Sequence, residues 1–254
     1  MKAGHVSVLV GGSRGIGRAL ARQLAARGGD VIVVGRDAER LASALRELQE
    51  VWPDGRHAAL RLDISDPDDM QALAAECEQR YGRVDLLVVS ALVAGYEGLP
   101  PATRDLSLAE WQRSIDVNLN GVFLANRALL PLMLARGDGE IVNICSSTTP
   151  HGLSGRALAP AYSASKFAVA EFSRLLASDL ADEGIRVHAL FPGPVETPLI
   201  ENTVLSANFG GRIDADNFAV AVLDLLSASR DAAVVDAHIL PMRTPDQPAV
   251  RAVS

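Results

Sequence analysis

The chain has 254 residues, a length that fits one large α/β domain, and its formal net charge of -7, with no basic patch to offset it, excludes general nucleic-acid or anionic-membrane binding. Ala and Val dominate and aromatics make up only 4% of the residues, which suits helices packed closely on both faces of a mainly parallel sheet. Cys77 and Cys145 stand far apart without Cys-x-x-Cys or Cys/His spacing, which argues against a disulfide framework or any metal site and predicts a reducing, cytoplasmic setting.

The start, Met1 to Val6, shows no cleavable signal pattern, and no uninterrupted apolar run reaches the ~18 residues of a membrane span. Short apolar runs then alternate with amphipathic segments: a strand at Val6 to Val10, a helix from Gly15 to Arg27, a strand at Val31 to Val34 and a helix from Ala38 to Val51. The pattern continues with a strand at Ala58 to Leu62, a helix from Met70 to Tyr81 and a strand at Val84 to Val89. A long helical stretch from Leu108 to Arg136 follows, with a kink or boundary expected at Pro131, because proline costs about 3 kcal/mol in a helix interior. A strand at Glu140 to Cys145, a helix from Pro160 to Asp182, a strand at Ile185 to Phe191, a helix from Asp216 to Leu226 and a strand at Val234 to Leu240 complete the chain. This rhythm predicts a single α/β domain built on a doubly wound, mainly parallel seven-stranded sheet with helices on both faces, followed by a loose tail from about Pro241.

Gly11-Gly12-Ser13-Arg14-Gly15-Ile16-Gly17 follows the first strand and opens the first helix. In that context glycines let backbone N–H groups and the helix N-terminus approach a pyrophosphate, so the run reads as the phosphate cradle of a dinucleotide site. At the end of the second strand Gly35 occupies the place where an acidic side chain would bind a ribose 2'-hydroxyl, and Arg36 follows. Arg36 and Arg14 can converge on a 2'-phosphate, which favours NADP(H) over NAD(H).

Tyr162-Ser163-Ala164-Ser165-Lys166 places a phenol and an ammonium four residues apart, on one face if the segment is helical. A nearby positive charge favours the phenolate and is expected to lower the phenol from its usual value near 10, making Tyr162 a candidate proton donor to a carbonyl.

These motifs together resemble the short-chain dehydrogenase/reductase family in its single-domain, Rossmann-type form, over nearly the whole chain from Val6 to about Pro241. The resemblance implies that Asp63, in Leu62-Asp63-Ile64, contacts adenine with Ile64 beside it. It also implies that Asn118, in Asp116-Val117-Asn118-Leu119-Asn120-Gly121, sustains a water-linked proton relay. Ile141-Val142-Asn143-Ile144-Cys145-Ser146 is similar to the strand leading to the catalytic serine, with Ser147 and Thr149 as alternatives to Ser146. Pro192-Gly193-Pro194-Val195-Glu196-Thr197-Pro198 resembles the segment beside the nicotinamide, so Pro192, Gly193, Val195 and Thr197 join Gly11, Ser13, Arg14, Gly15, Ile16, Gly17, Arg36, Asp63, Ile64 and Ala91 as cofactor-binding candidates. By the same resemblance Ser146 hydrogen-bonds a substrate carbonyl, Tyr162 supplies the proton, and Lys166 holds the nicotinamide ribose while lowering the tyrosine. Where the family has Asn-Asn-Ala-Gly, this chain has Val89-Ser90-Ala91-Leu92, and Val10 replaces a threonine.

The segment Glu196 to Gly211, with Leu199, Ile200, Val204, Leu205 and Phe209, reads as a short apolar lid, and Leu92, Val93, Tyr96 and Leu153 add apolar surface. His151 is a further pocket candidate. A mostly apolar ketone or secondary alcohol is the expected substrate of an NADP-dependent carbonyl reductase, in a homodimer or homotetramer. The alternative is a dinucleotide-sensing binding protein with little turnover.

Overall fold

The computed structural model describes residues 4–93, 101–147, 160–201, 211–227 and 234–242. Seven strands, β1 (Val6–Val10), β2 (Asp30–Gly35), β3 (Ala58–Arg61), β4 (Leu86–Val89), β5 (Gly139–Ile144), β6 (Ile185–Pro192) and β7 (Asp236–Ile239), form one sheet in the order β3-β2-β1-β4-β5-β6-β7. Every neighbouring pair is parallel. The chain winds outward from β1 to β3, then returns past β1 to β4, so the winding direction switches between β1 and β4. At such a switch the loops at the strand C-termini part and leave a crevice.

Successive side chains of a strand point to opposite faces, and here both faces are apolar. Val6, Val8, Val10, Ile32, Val34, Leu87, Val89, Ile141 and Val187 pack on one side against α3 (Pro67–Tyr81), α5 (Gly121–Leu134) and α6 (Pro160–Asp179). Leu9, Val31, Val33, Leu86, Val88, Val142 and Leu190 pack on the other against α1 (Gly15–Ala26), α2 (Ala38–Val51) and a C-terminal helix, Ala215–Leu226. Between them come α4 (Leu108–Ile115) and the single helical turn α7 (Pro198–Glu201), so the C-terminal helix is α8.

Four helices begin on a side-chain cap. Asp37 accepts from Arg40 N–H at α2, Asp66 from Asp68 N–H at α3, Ser107 forms a reciprocal capping box with Glu110 at α4, and Asp214 accepts from Asp216 and Asn217 N–H groups at α8. Such caps fix where each helix starts. In α3 the start lies at Pro67, three residues before the expected Met70, because Asp66 caps and Pro67 fits the first helical position.

The stretch expected as one helix from Leu108 to Arg136 is broken, but not at Pro131. A π turn at Asp116–Asn120 separates α4 from α5, and α5 runs through Pro131 to Leu134. Pro131 and Arg127, whose carbonyl loses its helical N–H partner, both lie on the exposed side, where water can take the bond. The 27 residues Leu108–Leu134 are long and apolar enough to cross a membrane by length and composition. Here Val117, Val122, Ala125, Leu129 and Met133 are packed into the core.

Candidate active site

At the switch point a cleft of about 870 Å³ open to solvent is lined by Gly11, Ser13, Arg14, Gly15, Ile16, Arg36, Asp63, Ile64, Ala91 and Thr197, together with Gly35, Leu92, Val117 and Leu199 among others. Ten of the cofactor-binding candidates therefore meet on one surface. Gly11 has φ 92°, and a Cβ there would overlap the backbone of Ser90 and Ala91. Only glycine fits that close approach. Gly17 does not face the cleft. Its missing side chain lets α1 sit on the Gly11 carbonyl, where a Cβ would collide, so Gly17 sets the helix that the cradle needs. Unlike α2, α3, α4 and α8, α1 has no side-chain hydrogen bond at its N-cap, Arg14. Its first turn, whose Gly15 and Ile16 line the cleft, is thus left without a capping acceptor and suits an anion. Gly15 lies against Thr197, whose Cγ2 would be 3.2 Å from a Cβ added there, which brings the candidate nicotinamide segment over the glycine turn.

A cluster of guanidinium groups marks one end of the cleft. Partial burial and then the charges of Arg40 and Arg36 pull the Arg14 guanidinium below its usual value, with Asp37 only partly opposing. Among the described residues Arg14 makes no ion pair, while Arg40 pairs with Asp37 at 3.3 Å and Arg36 with Asp63 at 3.4 Å. The motif reading of the sequence passes over Arg40. The signal is available, since Arg40 stands four residues after Arg36 on the first turn of α2. A guanidinium left without a matching acid among like charges fits a bound phosphate, and with the open α1 terminus and the glycine cradle the cluster fits a dinucleotide.

The segment after β4 lacks the family's amides, yet it is tied down. Ser90 and Ala91 N–H groups both donate to the Val10 carbonyl, at 2.8 and 2.9 Å. Beyond them Val93 is clasped by Asn118, whose Oδ1 accepts from Val93 N–H at 2.7 Å and whose Nδ2 donates to the Val93 carbonyl at 2.9 Å and to Ser165 Oγ at 3.2 Å. Asn118 is fully buried within the π turn. As placed, its side-chain amide is a brace joining the β4 exit to α6, with both Nδ2 donors taken and one acceptor site left on Oδ1. A second bridge, from Asn126 through Asn143 to Ser173, links α5, β5 and α6. The sequence motifs assign Ser165 no role and give no sign of this bridge.

Ser146, at the end of β5, and Tyr162, in the first turn of α6, are both buried and share a hydrogen bond. Burial pushes the Tyr162 phenol up to about 12, the Ser146 bond pulls it down and Cys145 adds to the rise. This corrects the expected lowering by Lys166. The ammonium is one turn away on the same helix and 1% exposed, but its Nζ donates to the Ile144 carbonyl at 2.6 Å. Burial draws Lys166 itself down to about 8, with Cys145 partly opposing. Desolvation is the largest influence on both groups, opposed by the Ser146 hydrogen bond at Tyr162 and by Cys145 at Lys166.

Tyr162, Lys166, Ser146 and Asn118 do not themselves line the cleft, and neither do Pro192, Gly193 and Val195. Val195 is a core residue, bridged to Ile213, while the Pro192 carbonyl accepts from Ser147 N–H at 3.1 Å and Gly193 N–H donates to Ile239. These residues support the segment that carries Thr197. Tyr96, Thr149, His151, Leu153, Val204, Leu205, Phe209, the side chain of Ile200 and the tail from residue 243 lie outside the described residues.

The family model described as short chain dehydrogenase matches residues 5–207. A 2-dehydro-3-deoxy-L-rhamnonate dehydrogenase (NAD(+)) from a Sphingomonas species is 35% identical over 199 residues, covering 78% of this chain and 75% of that protein. A putative ketoacyl reductase of Streptomyces coelicolor is 40% identical over 201 residues, covering 77% and 72%. The crystal structure of an actinorhodin polyketide ketoreductase variant with NADPH superposes with a TM-score of 0.80 at 31% identity, covering 94% of this chain and 98% of that one. A parallel sheet switching direction at a glycine cradle, a Tyr-x-x-x-Lys helix and a family match over most of the length agree: the chain belongs to the short-chain dehydrogenase/reductase family of oxidoreductases acting on CH–OH and C=O groups.

Proposed function

We propose that the protein is an NADPH-dependent ketoreductase, a carbonyl reductase that works in reverse as an alcohol dehydrogenase, on a mostly apolar ketone or secondary alcohol. The observation that carries this reading is the buried hydrogen bond between Ser146 and Tyr162, one helical turn from Lys166. A ketone is supported by the relatives named as ketoacyl and polyketide ketoreductases, and an apolar one by Leu92 and Leu199 on the cleft wall. The preference for NADP rests on Arg14, Arg36 and Arg40, since the relatives' names include both NAD(+) and NADPH.

Gly11, Gly15 and the open end of α1 would hold the pyrophosphate, Asp63 and Ile64 the adenine side, and Lys166 and Thr197 the nicotinamide side. When bound, the nicotinamide supplies a hydride to the carbonyl carbon or takes one back from the alcohol. Ser146 donates a hydrogen bond to the carbonyl oxygen, where negative charge develops. Tyr162 holds the proton on its phenol oxygen and delivers it to that same oxygen, a task suited to a phenol kept protonated by burial. Lys166, one helical turn away, would act on the nicotinamide side of the cofactor, with its ammonium held by the Ile144 carbonyl. Asn118 keeps the wall of the site in register through Val93 and Ser165.

NADPH oxidation with a panel of apolar ketones, compared with NADH and with the Tyr162→Phe variant, tests the proposal. Turnover should fall by at least ~100-fold in the variant. Unchanged turnover would defeat the proposed acid, and NADPH binding without turnover of any ketone would favour a sensing protein. Arg36→Asp should weaken NADP much more than NAD; equal losses would remove Arg36 from phosphate reading. We also assign the chain to a homodimer or homotetramer through the outer faces of α5 and α6, where Phe123 is 45% and Leu175 59% exposed. Sedimentation of Phe123→Asp should then show smaller particles than the parent.

A further inference from the structure

Arg36 stands between opposing electrostatic partners. On one side stands Arg14, without an ion pair among the described residues and carrying a like charge that Arg36 and Arg40 both crowd. On the other, Asp63 Oδ2 accepts from Arg36 Nη1 at 3.4 Å, across the pocket wall that both residues line. The two ends of this contact are unequal. The Asp63 carboxylate is pinned, with Oδ1 accepting from Ser65 N–H at 3.0 Å and Ser65 Oγ at 2.7 Å, and its own N–H donating to Asp69 at 2.7 Å. Arg36 is fixed only through its backbone, where the carbonyl accepts from Arg61 Nε at 3.2 Å, while its side chain is 54% exposed. A fixed acid thus holds a movable cation.

We propose that Asp63 is a specificity-determining residue for the dinucleotide: by competing for Arg36 it weakens the hold on a 2'-phosphate and widens the cofactor range toward NAD. The inference rests on the reading that Arg36 meets a 2'-phosphate. A phosphate bound near Arg14 and Arg36 has to draw the guanidinium away from Asp63, and that contact is lost to it. A dinucleotide without the 2'-phosphate leaves the ion pair intact. Asp63 therefore narrows the difference between the two cofactors whatever else it contributes to adenine binding, because the adenine is common to both.

The test measures calorimetric affinities of the full chain for adenosine 2',5'-bisphosphate and for 5'-AMP, whose ratio isolates the 2'-phosphate from adenine. For Asp63→Asn, and for Asp63→Ser should the first variant fold poorly, the ratio should shift about two- to five-fold toward the bisphosphate, the scale of an exposed ion pair. In an Arg36→Gln background the same Asp63→Asn change should leave the ratio where it was, since no guanidinium remains to compete for. An unchanged ratio for Asp63→Asn alone, or an equal gain with and without Arg36, overturns the proposal. If Arg36→Gln by itself leaves the ratio untouched, the 2'-phosphate reading falls and Asp63 falls with it. If Arg36→Gln lowers the ratio but Asp63→Asn does not raise it, only the role of Asp63 is lost.

Discussion

Lys166→Met should make the protein more stable at neutral pH and less active. Lys166 is 1% exposed and lowered from 10.5 to about 8, chiefly by burial. At about 1.4 kcal/mol per pH unit, holding it charged at pH 7 costs the folded state roughly 3 kcal/mol. Its hydrogen bond to the Ile144 carbonyl returns about 1.5–3 kcal/mol, as a bond from a charged donor. The net gain of the methionine variant at pH 7 is therefore about 0–2 kcal/mol, and the firmer prediction is its pH dependence. A lysine lowered in the fold binds fewer protons there than in the unfolded chain once pH exceeds about 8, so the parent recovers stability between about 8 and 10.5. The methionine variant, with no ammonium to titrate, has no such recovery. Urea unfolding midpoints at several pH values from about 7 to about 10.5 should show the variant's advantage shrinking by roughly 3 kcal/mol and reversing sign, since only the lost hydrogen bond remains. Tyr162 titrates in both proteins and cancels in the difference. A difference independent of pH would refute the account, because it would mean that Lys166 is as well solvated in the fold as in the unfolded chain.

Asn118→Ala should cost about 1–3 kcal/mol in urea, since it strands the half-buried N–H and carbonyl of Val93 together; a loss below about 0.5 kcal/mol would show that the clasp is dispensable. Asp85 accepts from Val6 N–H at 2.7 Å and pairs with Arg83 and Arg136, and although burial raises its carboxyl, these partners hold it below the usual range. Its stabilisation is thus present above the ordinary carboxylate range and is lost as pH falls through the folded value. Asp85→Asn should cost about 2–4 kcal/mol at pH 7 and progressively less toward about pH 3, and an equal cost at both pH values would contradict the pairing. Gly17→Ala should push α1 off the Gly11 carbonyl, costing about 1–3 kcal/mol and weakening NADP and NAD alike. Weakening of one cofactor alone would show that the pyrophosphate turn had not moved.

Much of this molecule is legible locally. The strand Val6–Val10 and the helix Ala38–Val51 have the expected bounds, because a short valine-rich run and helical periodicity need no distant partner to be recognised. The glycine cradle and the Tyr162–Lys166 pair are equally local, being fixed by spacing along one turn or one helix. What escapes is tertiary. Apolar periodicity carries straight through Asp116–Asn120, and the π turn coincides with the reach of Asn118 for Val93, 25 residues earlier in the chain. The fall of Tyr162 expected from its lysine neighbour ignores how deeply α6 sinks both groups, and depth is not written in a five-residue motif. Arg40 lies within reach of a spacing argument, but only the folded β2–α2 corner shows that it crowds Arg14.

The single π turn between α4 and α5 absorbs one residue. An α-helix advances about 100° per residue, so without the wide turn the one additional residue would rotate everything after it by that angle. The turn is one residue wider than an α-turn, and Asn118 sits within it. Removing one residue from Asp116–Asn120 would close the wide turn into regular helix and leave α5 facing as it does now, at the expense of the Asn118 clasp on Val93. The extra residue is therefore there for the reach of Asn118 and not for the phase of the helix, and a one-residue deletion should cost the clasp while sparing the packing of α5.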